Sequence, residues 1–270
     1  EHFPERAALP PGNAQMALAL KDFFAAPIPL LDRQLRAAIA AEKTDLLMVE
    51  NCFYGVLPLL QSAERPPVFG IGVTPLSYSS RDAIFYGPRI PPALLPRALT
   101  REQLVDEATR VLLDEVQQSF DAALVQAGGR PLNRPFTDAL IGGCERFLQL
   151  ATTALEYERD DLPSGVRFVG PLRSGGQPAA EEALWEEDDR RPLVIVSQGT
   201  LANVDLHQLI VPTLQALAHL PVRVLATTGG RATEGLMDAL PDNARVRAFI
   251  SFEHWLPQAA LLITNGGYGS

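Results

Sequence analysis

Four short apolar runs that alternate with helical stretches most constrain the fold of the second half of this chain. The strand-like runs lie at 193–197, 222–226, 246–249 and 261–264, and the helical stretches at 204–218, 233–240 and 253–259. Short apolar runs separated by helices are typical of parallel strands buried on both faces. The alternation therefore predicts a parallel α/β sheet in this half.

The first half shows a weaker form of the same pattern. Apolar runs at 45–50 and 67–72 predict two buried strands. The segment 101–126 carries apolar residues at helical spacing, so it predicts a long helix. Between these elements, the proline-rich stretch 74–99 predicts a long loop, and loops of that length are often binding elements. A second α/β unit is expected here.

A change of composition separates the two halves. Residues 171–192 are rich in Gly, Pro, Glu and Asp, which is typical of a linker between domains. We therefore expect an N-terminal domain at 1–170, a linker at 171–192 and a C-terminal domain at 193–270. Because the strand and helix alternation breaks at the linker, each domain should form its own parallel sheet, the two facing each other across a cleft.

Composition excludes several classes of function. The chain has 23 basic and 32 acidic residues and a formal net charge of −9, which argues against nucleic acid or an anionic membrane as a partner. Its two cysteines, Cys52 and Cys144, cannot form a disulfide framework, so a reducing compartment, the cytoplasm, is expected. The four histidines lack metal-ligand spacing, so no metal is expected. No uninterrupted apolar run approaches the ~20 residues of a membrane span, so the chain is not expected to span a membrane.

The ends of the four predicted C-terminal strands form the candidate site. Ligands of parallel sheets bind beyond the carboxyl ends of the strands, which are here 197–200, 227–230, 249–250 and 265–270. The last of these, Asn-Gly-Gly-Tyr-Gly-Ser, would let backbone N–H groups approach an anion. A glycine-rich turn is also compatible with a plain tight turn, but the hydroxyls of Ser197 and Thr200 lie at the end of the first strand of the same sheet. The two loops together predict a diphosphate site.

Three segments resemble a known family. VIVSQGT near 194, RVRAFISFEHWLPQAALLITNGGYGS at the end and DLPSGVRFVGPL before the linker resemble the inverting family-1 glycosyltransferases, which include macrolide and plant natural-product enzymes. MVENCFYGVLP and PPVFGIGVTPLSYSSRD look like strands and loops of their acceptor domain. The resemblance implies the GT-B type of fold, with two Rossmann-like domains. It also implies that the first domain binds the acceptor and the second a nucleotide sugar.

The resemblance also implies roles for particular residues of the second domain. Ser197, Gly199 and Thr200 would lie beside the diphosphate. Phe249 would stack on uracil or thymine, and the backbone of Ile250 would pair with the base. The run WLPQ at 255–258 resembles the family's base-binding motif, but it lies too close to the glycine loop and is interpreted as a decoy.

The glycine loop matches the family pattern T-H-x-G-x-x-S except at its histidine, where this chain has Asn265. An asparagine amide can donate a hydrogen bond but carries no charge. The resemblance implies phosphate contacts from this amide, from the backbone of the loop and from a terminal hydroxyl. The residues concerned are Asn265, Gly267, Tyr268, Gly269 and Ser270, with Tyr268 either beside the sugar or only a packing residue.

Glu50, at the end of a predicted strand, is the candidate for catalysis. In the family an acidic residue at the corresponding place supports the histidine that acts as general base. A glutamate at a strand end can also simply cap the following turn. The family's histidine and its sugar-binding acidic and amide pair have no counterpart within 1–270, so we expect a chain incomplete at both termini and inactive alone.

The sequence thus predicts transfer of a hexose from a UDP- or TDP-sugar to a hydroxyl of a hydrophobic small molecule, with inversion and without a metal or other cofactor. Two alternatives stay open at this point. A non-catalytic homologue that binds nucleotide or a partner protein is favoured by the neutral Asn265. A sugar-nucleotide epimerase would share the two-domain architecture but would need no acceptor.

Overall fold

The computed structural model divides the chain into two compact units, Glu1–Pro171 and Leu172–Ser270. The residues that the structure describes are 9, 12–80, 107–172, 183–186, 188–200, 203–231, 233 and 240–269. Most of the predicted 74–99 loop, the start of the predicted 101–126 helix, the predicted 233–240 helix except its two ends, and Ser270 lie outside them.

The first unit contains a four-stranded parallel sheet in the order β1-β2-β3-β4. Its strands are β1 (Leu47–Glu50), β2 (Val68–Gly72), β3 (Arg146–Gln149) and β4 (Val166–Phe168). Its helices are α1 (Asn13–Ala19), a π-helical turn (Leu20–Ala25), α2 (Ile28–Ala41), α3 (Leu57–Leu60), α4 (Glu107–Gln126) and α5 (Phe136–Gly143), with 3₁₀ turns at Tyr54–Val56 and Thr153–Leu155.

Strands β1 and β2 were predicted, whereas β3 and β4 were not. The two missed strands are three or four residues long and contain exposed arginines, so neither forms an apolar run. They are recognisable as strands only through their parallel pairing with β2 and with each other.

The core of the first unit is centred on three aromatic rings. Phe120 of α4 and Phe136 of α5 stack at 4.1 Å between ring centroids. Tyr54 meets both rings edge-on, at 5.0 and 5.4 Å. Such aromatic contacts add specific geometry to area burial, so they fix α4 and α5 relative to the turn that follows β1.

The helical stretch from Asn13 to Ala41 is long and apolar enough, by length and composition alone, to cross a bilayer. No uninterrupted apolar run marks it in the sequence, because its apolar residues are spread along a helix; that the chain does not span a membrane stays a prediction. Ala17, Leu20, Ala25 and Ile28 from this stretch are buried in the core of the first unit. Core helices of globular domains pass the same test of length and composition, so the test is weak evidence for a span.

The second unit contains a parallel sheet in the order β7-β6-β5-β8. Its strands are β5 (Leu193–Ser197), β6 (Arg223–Thr227), β7 (Ala244–Arg247) and β8 (Ala259–Thr264). Its helices are α6 (Ile210–Leu217) and α7 (Phe252–Trp255), with 3₁₀ turns at Leu206–Gln208 and Leu256–Gln258. The prediction of two separate parallel sheets is confirmed, and the cleft between them stays a prediction.

The four C-terminal strands were predicted with different accuracy. All five residues of β5 are buried, and its bounds are those predicted. Strand β7 ends at Arg247, two residues earlier than predicted, because its register with β6 stops at the pair Thr227↔Arg247. This correction moves Phe249 out of the strand and into the loop beyond it.

Apolar residues cover both faces of the second sheet. Val194, Val196 and Val224 pack with α6 on one face, and Leu193, Ile195 and Leu225 pack with Trp255 on the other. This double burial is the reason that the strands read as continuous apolar runs.

Part of the segment predicted to be a linker also packs on the second unit. Leu184 and Trp185 join the cluster around Trp255, with the two tryptophan rings edge-on at 6.2 Å. The guanidinium groups of Arg223 and Arg245 lie 5.5 and 5.9 Å from the Trp185 ring, within cation–π distance.

Candidate active site

The second sheet reverses its strand order between β5 and β8. Strands β5, β6 and β7 extend to one side in succession, and β8 then returns to pair with the other side of β5. Loops that follow the two strands at such a reversal leave a crevice at the carboxyl edge of the sheet, where open α/β sheets bind ligands. The β5 loop (198–200) and the β8 loop (265–269) follow these two strands.

The β5 loop is shaped by the last side chain of its strand. Ser197 is only 3 % exposed, and its Oγ accepts the N–H of Gly199 at 3.3 Å. Gly199 has a φ of +74° and turns the chain away from the strand direction. The next residue, Thr200, is exposed and presents its hydroxyl to solvent. The buried Ser197 side chain therefore shapes the loop, whereas the exposed Thr200 is accessible to a ligand.

The β8 loop is tied to the β5 loop by Asn265. Its Nδ2 donates to the carbonyl of Gln198 at 3.0 Å, and its Oδ1 accepts from the hydroxyl of Thr264 at 3.4 Å. The amide group therefore holds the two loops together across the strand reversal. Sequence reasoning assigned Asn265 only to a phosphate, whereas one of its N–H groups serves the protein itself.

The rest of the β8 loop has little side-chain cover. Gly266 has a φ of +75°, and a Cβ there would meet nothing within 4 Å. Gly267 and Gly269 are exposed, and Tyr268 is half-buried. The backbone of this loop is therefore open to a ligand from the carboxyl edge of the sheet.

The β6 loop (228–231) belongs to the same site; the sequence predicted residues 228–230 as one of its strand ends but gave none of them a role. A Cβ on Gly229, which has a φ of +61°, would collide with the carbonyl of Gly199. The ring of Phe249 lies against Gly230 so closely that a Cβ there would be 2.8 Å from the ring edge. Both glycines are needed for these close approaches.

Asn203 connects the β5 and β6 loops and was not among the residues predicted from the sequence. It is completely buried, and its Nδ2 donates to the carbonyls of Gly199 at 2.9 Å and Thr228 at 2.7 Å. Its Oδ1 accepts from Nε of Arg231 at 3.2 Å. A glycine pair at 229–230 was the visible signal in the sequence for the β6 loop, but nothing local marks Asn203.

These contacts join the predicted base position to the predicted phosphate position. Phe249, which is 67 % exposed, lies against Gly230, and the neighbouring Gly229 lies against Gly199. Asn265 then connects the β5 loop to the β8 loop. Ile250, the other predicted base contact, is half-buried beside Phe249. The backbone of these loops therefore forms a continuous surface between the exposed ring of Phe249 and the glycine-rich β8 loop.

The WLPQ run has a structural role. Trp255 is 5 % exposed and packs with Leu193 and Ile195 in the core. A ring buried in this way offers no face to a nucleobase, which agrees with the interpretation of the motif as a decoy.

Glu50 lies exposed at the carboxyl end of β1, in the first unit. Its Oε2 accepts the backbone N–H of Cys52 at 3.0 Å, so it caps the turn after the strand. Burial, together with the neighbouring Glu50 carboxylate, raises the pKa of the Cys52 thiol to about 11. The support of a general base by Glu50 stays a prediction.

The loops at the carboxyl edge of the second sheet offer hydrogen-bond donors that suit an anion. Within the described ranges, no group of three His, Cys, Asp or Glu side chains could hold a metal ion. The loops instead offer backbone N–H groups and the Thr200 hydroxyl, which are hydrogen-bond donors to phosphate oxygens.

Comparison with known proteins identifies relatives along the whole chain. No family model matches the sequence. UDP-glycosyltransferase 2 of Phaeomoniella chlamydospora is 31 % identical over 284 residues, covering 99 % of this chain and 62 % of the relative. The 4'-demethylrebeccamycin synthase of Lentzea aerocolonigenes is 31 % identical over 272 residues, covering 100 % of this chain and 63 % of the relative. The chain thus spans a little under two thirds of the length of these relatives.

A solved structure supports the same relationship at the level of the fold. The glycotransferase of kitacinnamycin superposes with a TM-score of 0.67 at 20 % identity, over 97 % of this chain and 62 % of that protein. The similarity in sequence and the two parallel sheets agree with the resemblance noted from the motifs. The homologues of this chain are therefore UDP-glycosyltransferases and macrolide-type glycosyltransferases, and its fold is of the GT-B type.

Proposed function

We propose that the whole protein transfers a hexose from a UDP- or TDP-sugar to a hydroxyl of a hydrophobic small molecule, with inversion at the anomeric carbon. The observation that carries this proposal is the strand reversal between β5 and β8, with two open loops tied together by Asn265. The names of the similar proteins, among them a UDP-glycosyltransferase, support a nucleotide sugar as donor. In this proposal the second unit binds the donor and the first unit the acceptor.

The proposed reaction is a direct displacement. The acceptor oxygen forms a bond to the anomeric carbon while the bond from that carbon to the diphosphate oxygen breaks. The hydroxyl proton passes to a general base, and the electron pair of the broken bond leaves on the nucleoside diphosphate. Attack from the face opposite the leaving group inverts the anomeric centre. We propose Glu50 as the carboxylate that supports the base.

The proposed role of the second unit is to bind and stabilise the departing diphosphate. The exposed backbone of 266–269 and the hydroxyl of Thr200 provide donors at fixed positions, which stabilise developing negative charge without a metal ion. The exposed ring of Phe249 provides a surface for uracil or thymine. Two free thiols, Cys52 and Cys144, fit a reducing compartment, and we propose the cytoplasm.

Nucleotide binding to the chain tests the donor site. Isothermal titration calorimetry with UDP and TDP should detect binding, and Thr200→Ala should weaken it by about tenfold or more through loss of a hydrogen bond to a charged phosphate. Thr153→Ala, at an exposed threonine of the first unit, is the matched control and should leave affinity unchanged. Equal affinities of the Thr200→Ala variant and the unmodified chain would place the phosphate elsewhere.

Product analysis tests the reaction itself. Whole protein supplied with donor and a hydrophobic alcohol should yield a glycoside, and the anomeric proton coupling of that product reports inversion or retention. Donor alone should give no isomerised nucleotide sugar. Isomerised donor without acceptor would instead identify an epimerase, and bound nucleotide with no glycoside over a panel of acceptors would favour the non-catalytic homologue.

A further inference from the structure

We infer that Arg231 is a diphosphate-binding residue, whose guanidinium provides positive charge beside the β5 loop. The inference rests on the proposed function, because it concerns the phosphate end of the proposed nucleotide site. Arg231 was not among the residues chosen from the sequence, and it follows the two glycines of the β6 loop.

The position of Arg231 is fixed by two hydrogen bonds. Its Nε donates to Oδ1 of the buried Asn203 at 3.2 Å, and its carbonyl accepts from the hydroxyl of Thr228 at 2.7 Å. Asn203 in turn donates to the carbonyl of Gly199 at 2.9 Å. The guanidinium is therefore hydrogen-bonded to the Asn203 amide, which is itself hydrogen-bonded to the β5 loop at Gly199, one residue before Thr200.

Charge gives this position its significance. The β5, β6 and β8 loops, 198–200, 228–231 and 265–269, contain one positively charged side chain, that of Arg231. All other side-chain donors in these loops are neutral amides or hydroxyls, whereas a nucleoside diphosphate carries at least two negative charges. A guanidinium matches phosphate geometry and binds it with charge-assisted hydrogen bonds, which are stronger than neutral ones.

The side chain is also accessible. Arg231 is exposed, and its contact with Asn203 uses Nε. In the part of the chain that the structure describes, no carboxylate forms an ion pair with its terminal nitrogens. Asp205, the acidic residue that follows Asn203 closely, accepts the N–H of His207 at 2.9 Å and caps a 3₁₀ turn. The two terminal nitrogens therefore remain available for phosphate oxygens.

A purely structural role for Arg231 predicts a different result from a phosphate contact. If the side chain only holds the β5 and β6 loops through Asn203, its loss should disturb the base and the phosphate positions alike, since Phe249 lies against the same β6 loop. If it binds phosphate, its loss should affect only ligands that carry phosphate. Uridine and UDP separate these cases, because they share the base and the ribose.

The experiment measures affinities for UDP and uridine by titration calorimetry or ligand-observed NMR, on the unmodified chain and on three variants. Arg231→Gln should weaken UDP binding by about tenfold and leave uridine unchanged. Arg231→Lys should restore part of the loss, since the charge returns without the planar fork. Arg223→Gln is the matched control, at the first residue of β6 and thus at the opposite end of the same strand. It should bind UDP like the unmodified chain.

Two outcomes overturn the inference and leave the proposed function standing. One is UDP binding that is unchanged in Arg231→Gln, and the other is an equal loss for UDP and uridine. Failure of the unmodified chain to bind UDP, TDP or uridine would overturn the proposed donor site, and with it the inference.

Discussion

The carboxyl edges of the two sheets are built in contrasting ways. Beyond the first sheet, charged and amide side chains bind the backbone of residues 73–79, which follow β2. Beyond the second sheet, four glycines with positive φ make tight loops, and the loop backbone itself forms the surface. The contrast suggests different tasks, because one edge holds residues 73–79 in place and the other exposes backbone donors.

The backbone of Leu76 shows how side chains hold the residues beyond the first sheet. Glu156 accepts its N–H at 2.8 Å, and Arg159 donates to its carbonyl at 3.0 Å. The two side chains also form an ion pair at 3.4 Å, and each is 4 % exposed. The backbone N–H and carbonyl of one residue are thus held by a buried carboxylate and a buried guanidinium. Other anchors of the segment are Asn51 on Val73 and Thr74, Gln149 on Thr74, and Asp138 on Ser79.

At the carboxyl edge of the second sheet, few side chains bind the loop backbone. Asn203 donates to carbonyls of the β5 and β6 loops, and Asn265 of the β8 loop donates to another carbonyl of the β5 loop. Neither residue carries charge, so the anion that we propose meets no fixed negative group from them. We expect the first edge to vary with the acceptor and the second to stay constant for a diphosphate.

The largest effect should come from breaking the ion pair of the first edge. Glu156→Gln leaves Arg159 buried without its counter-charge, and such losses cost about 3–5 kcal/mol of unfolding free energy. Amide exchange of the peptides that contain β1 and β2 measures the first unit directly. Asp45→Asn removes a carboxylate from the exposed pair with Lys43 and should cost under about 1 kcal/mol. Equal amide exchange rates in the two variants would show that the contacts of Glu156 and Arg159 with Leu76 do not stabilise the first unit.

The next effect separates two glycines of the second edge. Gly229→Ala and Gly266→Ala both force a left-handed backbone on a residue with a Cβ, at a cost of about 1–2 kcal/mol. Only at Gly229 does the new Cβ also collide with a carbonyl, which should add about 1–3 kcal/mol. Both tryptophans, Trp185 and Trp255, lie in the second unit, so tryptophan fluorescence during urea unfolding reports that unit alone. Matching midpoints for the two variants would contradict the close approach of the β5 and β6 loops.

The smallest effect concerns the contact between Glu50 and Cys52. Burial raises the pKa of the Cys52 thiol to about 11, and the Glu50 carboxylate adds to the shift, so little thiolate exists at pH 8. Glu50→Gln removes the negative charge and should therefore lower the pKa of the Cys52 thiol. At pH 8 the thiolate fraction of Cys52 rises about tenfold for each pH unit by which that pKa falls. Alkylation by iodoacetamide, followed by mass spectrometry, should therefore be faster at Cys52 in the variant. Cys144 is the internal control, since burial first of all raises its pKa to about 12. An unchanged rate at Cys52 would mean that the carboxylate does not face the thiol.

Local pattern was enough to predict the elements whose environment is uniform. Strand β5 is buried along its whole length and helix α4 repeats its apolar residues at helical spacing, so each could be read from a short window of sequence. The glycine-rich turn after β8 and the family motifs were visible for the same reason. Strands β3 and β4 were not, because their alternating exposure over three or four residues leaves too short a pattern.

The tertiary structure alone decided which groups meet at the site. Asn203 and Thr228 are 25 residues apart, Asn265 and Gln198 are 67 apart, and Leu76 and Glu156 are 80 apart. Hydrophobic periodicity repeats over two to four residues, so it determines the faces of strands and helices but not the order in which strands pair. That order, with β8 returning to the side of β5, brings Gln198 and Asn265 together. The same order brought the predicted strand ends to one edge of the sheet, and hydrogen bonds added Asn203 and Arg231, for which the sequence had predicted no role.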